Sequence, residues 1–218
     1  MAFFNEETRK QLLEIFKNLE KKVSLLFFTE KYKCHFCKET YQLYEELTGL
    51  TDKISVTSLE LKDSIQIAQE YNIMHITPAT LILDETGKDT RIRFYGIPSG
   101  HEFTSLLETI KLVSTGSLLL KPETIDFIRS ADKKIDLKVF VSNSCPYCPA
   151  AVFLAHQFAF ASENITSSMI ETAEFPHLAN KYSIMGVPKT VINETETIEG
   201  AAGEEMLIEK IKNGLNGK

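Results

Sequence analysis

The sequence predicts an α/β protein built from two tandem copies of one unit, and three observations lead there. Short apolar runs of strand character alternate with longer segments of helical periodicity along the whole chain. The four cysteines form two Cys-x-x-Cys pairs, Cys34–Cys37 and Cys145–Cys148, each lying between such a run and such a segment. The surroundings of the pairs then repeat in register. At an offset of 111 residues Glu60 falls on Glu171, Tyr71 on Tyr182 and Ile73-Met74 on Ile184-Met185; one residue is then lost, and at 110 Pro78 falls on Pro188, Thr80 on Thr190 and Ile82 on Ile192. The 218 residues suit two domains of about 100 residues each. Thr115-Gly116 is the best boundary, giving units 1–116 and 117–218.

Taken in order, Asn5 caps a helix whose Leu12, Leu13, Phe16 and Leu19 recur at helical spacing. A strand at 23–29 leads into the first cysteine pair, and the helix after it carries Leu43, Leu47 and Leu50 and ends near Gly49. A strand from Ile54 and a short helix over Asp63–Tyr71 follow. Ala79–Leu83 and Arg91–Tyr95 flank Asp84-Glu85-Thr86-Gly87-Lys88, a hairpin signal. A helix through Phe103, Leu106, Leu107 and Ile110 closes the first unit. The second opens with Pro122 at a helix start. It continues with a strand at 137–142, the second pair, a helix to about Ala161, a strand over Ile165–Ile170, and a shorter hairpin at Asn193–Glu196.

Composition sets bounds on function. A formal charge of −6 without any basic cluster argues against nucleic-acid or anionic-membrane partners. No apolar run approaches the ~20 residues that span a bilayer. Glu6 and Glu7 stand where a signal peptide needs a basic region, so a cytoplasmic location is expected. All four cysteines are committed to the two pairs, which leaves none for a structural disulfide framework.

A cysteine at the mouth of a helix meets unpaired N–H groups and a partial positive charge, which favour thiolate over thiol. Two cysteines three apart on that first turn share a face and can close a small disulfide ring. That is the equipment of dithiol–disulfide exchange, with Cys34 and Cys145 as nucleophiles and Cys37 and Cys148 resolving the mixed disulfide. The competing reading is zinc, but zinc pairs commonly lie ~15–20 residues apart, and here Cys37 and Cys145 are 108 residues apart. Glu46 shares a helix face with Leu43 and Leu47; it is a candidate for taking the resolving thiol's proton, against the plainer reading of a boundary glutamate reaching solvent. Its counterpart at the repeat offset is Gln157. Glu60 and Glu171, as strand-end acids, read as surface residues, and histidines 75, 101, 156 and 177 show no ligand spacing and read as structural or exposed. Gly200–Gly203 before the last helix reads as a plain turn in preference to an anion site.

The order strand, Cys-x-x-Cys helix, strand, helix, proline, hairpin, helix resembles the thioredoxin fold, with a four-stranded mixed sheet flanked by helices in each unit. The tandem arrangement with both pairs intact resembles the protein disulfide oxidoreductases, or glutaredoxin-like proteins, of thermophilic archaea and bacteria. The resemblance covers the whole chain and is most specific at Cys145-Pro146-Tyr147-Cys148-Pro149, Met185-Gly186-Val187-Pro188 and Gly96–Phe103. It implies cis peptides before Pro78 and Pro188, with the backbone of Thr77 and Val187 free to pair with an extended substrate. It implies further that no cofactor is bound and that electrons come from a thioredoxin-reductase-like NADPH flavoprotein. Disulfide-containing proteins and peroxiredoxins would lie downstream. Pro146-Tyr147 is what glutaredoxins carry, so a glutathione-dependent reductase is an alternative. A non-catalytic tandem binding module is another.

Overall fold

The computed structural model describes residues 3–216. The first unit runs α1 (Glu6–Phe16), β1 (Val23–Thr29), α2 (Cys37–Thr48), β2 (Ile54–Glu60), α3 (Ile65–Glu70), β3 (Ala79–Leu83), β4 (Asp89–Tyr95) and α4 (Glu102–Thr115), with one 3-10 turn at Leu61–Asp63. The second runs α5 (Pro122–Arg129), β5 (Ile135–Val141), α6 (Cys148–Ala161), β6 (Ile165–Glu171), α7 (Pro176–Lys181), β7 (Lys189–Ile192), β8 (Glu196–Glu199) and α8 (Glu204–Asn216). Local chemistry accounts for the ends. Asn5 Oδ1 accepts the Thr8 N–H at the start of α1, α5 begins on Pro122, and Gly116 in the left-handed region closes α4.

Each unit contributes four strands, and the two sets join into one eight-stranded sheet of order β2-β1-β3-β4-β6-β5-β7-β8. The join is a parallel pairing of β4 with β6, Ile92 to Tyr95 against Ser167 to Ile170. It buries what would have been two exposed edges. Strands β1, β2, β4, β5 and β6 all run the same way, while β3 and β7 oppose them. Both cysteine pairs follow a strand of the majority direction, so both lie at the same edge of the sheet. Four strand spacings separate β1 from β5, roughly 19 Å at ~4.8 Å each.

One hydrophobic cluster lies under α1, α2, α4, α5, α6 and α8 and runs unbroken across the join through Phe94, Leu106, Ile110, Val152, Phe158 and Met169. A second, smaller one on the opposite face gathers Phe28, Ala68, Tyr95, Phe140 and Ile170 beneath α3 and α7. Polar clasps accompany the join: Thr109 Oγ1 and His156 Nδ1 lie 2.8 Å apart in full burial between α4 and α6. Burial holds the His156 imidazole neutral, with its pKa pushed down to about 3. Arg91 donates to the carbonyls of Ala159 and Phe160 at the end of α6. No helix among the described residues is long and apolar enough to cross a membrane.

Candidate active site

Each cysteine pair sits at a loop-to-helix junction, with the second cysteine opening the helix: Cys37 opens α2 and Cys148 opens α6. Neither helix has a side-chain N-cap, so no capping oxygen takes up the first N–H groups of either helix. Cys34 and Cys37 form a disulfide with Cα atoms 5.5 Å apart, and Cys145 and Cys148 are free thiols. In both pairs the first cysteine is half-buried and the second buried. The Thr77–Pro78 and Val187–Pro188 peptides are cis. Cys145 Sγ lies 3.7 Å from the Val187 carbonyl oxygen, which brings the cysteine pair and the proline loop together at one site. The loop around Cys145 is held by its own N–H donating to Ser142 O. Two separate pairs on strands four positions apart cannot share an ion, and no cluster of metal-ligating side chains occurs among the described residues.

The first unit builds part of the second unit's site. The chain leaving β4 at Gly96 passes over to the loop before Cys145, where His101 N–H donates to Asn143 O at 2.9 Å and Asn143 Nδ2 donates to Ile97 O. Gly100 has φ +56, and a Cβ there would stand 2.3 Å from the Asn143 carbonyl oxygen, so only glycine admits this approach. The crossing delivers Glu102, the first residue of α4, into full burial. Its Oε2 accepts from Ser105 Oγ at 2.6 Å while its Oε1 has no hydrogen-bond partner among the described residues. Burial, with a smaller contribution from the nearby Glu171, raises the Glu102 pKa to about 7. The Cys148 thiol is pushed well up, first by burial and then by Cys145, with the Glu102 charge adding to it. A carboxyl group half ionised near neutral pH thus lies within electrostatic reach of the buried thiol.

Glu46 stands differently. Its carboxylate accepts the N–H groups of Phe3 and Phe4 and pairs with Arg9 at 3.6 Å. These bonds outweigh its burial and lower its pKa. Gln157, its counterpart in the repeat, plays the same part, with its Oε1 accepting the Leu119 N–H at 2.6 Å. In both units this position ties down the segment entering the unit, which is why a polar side chain sits on an apolar helix face. Glu171 also departs from the surface reading. Because β6 is interior to the joined sheet, Glu171 is buried, its Oε2 accepting from the Glu174 N–H. Glu60, on the outermost strand, accepts from the Lys31 N–H at the surface. Gly200 turns the chain at φ +81 and Gly203 O accepts the Leu207 N–H, in keeping with a turn.

The rims of the two sites differ. Beside the second pair Tyr147 is 71% and Met185 94% exposed. Beside the first, Met74 is drawn in by its N–H donating to Tyr95 Oη, and a cavity of about 240 Å³ opens between His35 and Thr77 on one side and Glu174, Phe175 and His177 of the second unit on the other.

The thioredoxin-domain family model matches residues 135–213, the second unit. A solved structure of the F component of the alkyl hydroperoxide reductase of Enterococcus faecalis superimposes with a TM-score of 0.89 at 30% identity, covering 96% of this chain and 99% of that one. A protein disulfide oxidoreductase from Aeropyrum pernix superimposes at 0.90 with 26% identity, covering 98% and 94%. The corresponding F component in Staphylococcus aureus is 29% identical over 202 residues, 93% of this chain but 36% of its own length. The chain therefore spans about a third of the curated relatives it matches.

Proposed function

Because the chain belongs to the tandem thioredoxin-fold disulfide oxidoreductase family, we propose that its two dithiols act as separate exchange sites on protein disulfides, one in unit 1–116 and one in unit 117–218. The observation that carries this reading is the second site's layering. A half-exposed Cys145 stands against the Val187 carbonyl beside Pro188, above a buried Cys148 that has a titrating carboxyl group within electrostatic reach.

Cys145, as thiolate, attacks one sulfur of the substrate disulfide, whose other sulfur leaves as a thiolate and takes up a proton. The substrate strand runs along Val187 and Pro188, as it does along Thr77 and Pro78 at the first site. Glu102 accepts the Cys148 proton, and the Cys148 thiolate displaces the second substrate thiol from Cys145 to leave the Cys145–Cys148 disulfide. We assign to Glu102 the carboxylate role for which Glu46 was a candidate, because the oxygens of Glu46 are already engaged by backbone and Arg9. Cys34 and Cys37 divide attack and resolution in the same way. Run backwards, either site forms disulfides.

Proteins of this kind carry their electrons on the cysteines and need no bound cofactor. We assign the supply of electrons to an NADPH-dependent, thioredoxin-reductase-like flavoprotein. A peroxiredoxin is the downstream partner we favour, since relatives of this chain bear the name alkyl hydroperoxide reductase. The exposed Tyr147 and Met185 give the second site an apolar platform for such a partner.

Cys148→Ser is the direct test. Incubated with a reducible protein disulfide, it should accumulate a mixed disulfide on Cys145 that a small thiol releases, and Cys37→Ser should do so on Cys34. Absence of any covalent adduct at either site, with the fold intact, would sink the reading.

A further inference from the structure

The cavity beside the first cysteine pair is walled by both units, and one of its walls carries an acid that the exchange chemistry at the second pair does not use. We propose that Glu174, contributed by the second unit, is the general acid of the first unit's substrate cleft, delivering a proton to the thiolate that leaves when Cys34 attacks. The proposal rests on the exchange reading of Cys34–Cys37.

The geometry is specific. Thr77, whose backbone borders the substrate path, and His35, inside the cysteine pair, line the same 240 Å³ space as Glu174. A substrate sulfur leaving from Cys34 along Thr77 would enter that space. Glu174 is held there from two directions, its N–H donating to Glu171 Oε2 and its Oε1 accepting the Ile97 N–H at 2.7 Å. No lysine, arginine or histidine nitrogen lies within salt-bridge distance of it among the described residues. Burial, with the neighbouring Glu171 adding to it, raises its pKa to about 7. The other groups facing the cavity are Glu30 and Lys33 from the first unit and His177 from α7, and Tyr44 of α2 feels the Glu174 charge from within the core.

The step balances as follows. The Cys34 thiolate forms a bond to one substrate sulfur and the substrate S–S bond breaks. The departing thiolate takes the Glu174 proton and leaves as a thiol, with Glu174 ionised. Glu174 is reprotonated from solvent, Cys37 loses its proton to water and attacks the Cys34 sulfur, and the second substrate thiolate leaves with the Glu174 proton. Two electrons have passed from the dithiol to the substrate, and two thiols are released.

The test uses the full chain with the second pair silenced (Cys145→Ser with Cys148→Ser), so that only Cys34–Cys37 turns over. Single-turnover reduction is followed from pH 5.5 to 9 with two substrates: an aliphatic hydroxyethyl disulfide, whose leaving thiolate is basic, and a bis(nitrobenzoate) disulfide, whose leaving thiolate needs no proton. Glu174→Gln should slow the aliphatic reaction roughly tenfold at pH 6. That is below the 10²–10⁴ of typical acid catalysis because a thiolate needs the proton less than an alkoxide or amine does. The two proteins should converge by pH 8.5, and the aromatic reaction should be unchanged throughout, which also shows the variant is folded. His35→Asn and His177→Asn should keep the leaving-group dependence. Equal slowing of both substrates, parallel pH profiles, or loss of the dependence in a histidine variant instead would overturn the proposal. If the silenced parent reduces neither disulfide, the exchange reading of the first site has failed, not the assignment of Glu174.

Discussion

Replacing Glu102 by glutamine keeps the shape of a side chain that is fully buried and removes its ability to ionise. The folded protein holds this carboxyl at about 7 against the 4.5 of a free glutamate. Below pH 4.5 the group is protonated in both folded and unfolded chains and costs nothing. Between 4.5 and 7 the unfolded chain gives up the proton and the folded one does not, so stability falls as pH rises, and above 7 the loss is complete. At about 1.36 kcal/mol per tenfold, the loss amounts to roughly 3 kcal/mol. Glu102→Gln should therefore be no more stable than the parent at pH 4 and about 3 kcal/mol more stable at pH 8. Urea unfolding followed by far-ultraviolet circular dichroism at both values measures this directly, with unchanged slopes showing that the denatured state is unaltered. In the same variant the Cys145–Cys148 site should resolve mixed disulfides on the order of 100-fold more slowly at pH 7, while the first attack by Cys145 proceeds at its usual rate. A stability difference that is constant across pH would refute the idea that Glu102 carries a trapped proton. Unchanged resolution would separate that proton from the chemistry.

The other expectations concern how the units are joined. Gly100→Ala places a Cβ against the Asn143 carbonyl at 2.3 Å in a left-handed backbone. It should cost about 1–3 kcal/mol and impair the second site more than the first, which separate single-pair assays distinguish. Thr109→Val leaves the buried His156 nitrogen without its partner and should lower stability by about 1–3 kcal/mol in urea unfolding; a neutral result would mean that clasp is not needed. His156, with its pKa at about 3, opposes acid: the unfolded chain takes up a proton near pH 6.5 that the folded one refuses. Its own contribution should fall by up to about 4–5 kcal/mol between pH 6.5 and 3, against the opposite contributions of Glu102 and Glu174, so His156→Gln should gain on the parent by that amount as pH is lowered across this range.

Much of the fold was legible because it is local. Strand β1 at 23–29 and the helix starts at Asn5 and Pro122 coincide with their sequence signals, and the repeat around Tyr71, Pro78 and Thr80 marks two copies of one unit. The short α7, opened by Pro176, carries no buried residue and so gave no periodic stripe to read. The joining of the sheets was not legible, since the β4–β6 pairing depends on which edges meet and not on any pattern within either strand. That join also sets the surroundings of two acids whose sequence context gives no sign of them. Glu171 looks like a strand-end surface acid until its strand becomes interior. Glu102 looks like an ordinary acid in a first helical turn, where the helix dipole alone would favour it; only the crossing at Gly96–Gly100 brings it within electrostatic reach of Cys148. Glu46 drew notice for the right reason, a charge on an apolar face, but its partners are N–H groups of a segment 42–43 residues earlier.

The measurement closest to the central claim is a free-thiol count at each pair after equilibration in glutathione buffers of graded potential, reading Cys34–Cys37 and Cys145–Cys148 separately by mass after alkylation. Two independent two-electron transitions are expected, each abolished only by replacing its own cysteines. A pair that never closes, or four thiols that titrate together and release a metal ion on oxidation, would contradict the existence of two separate exchange sites.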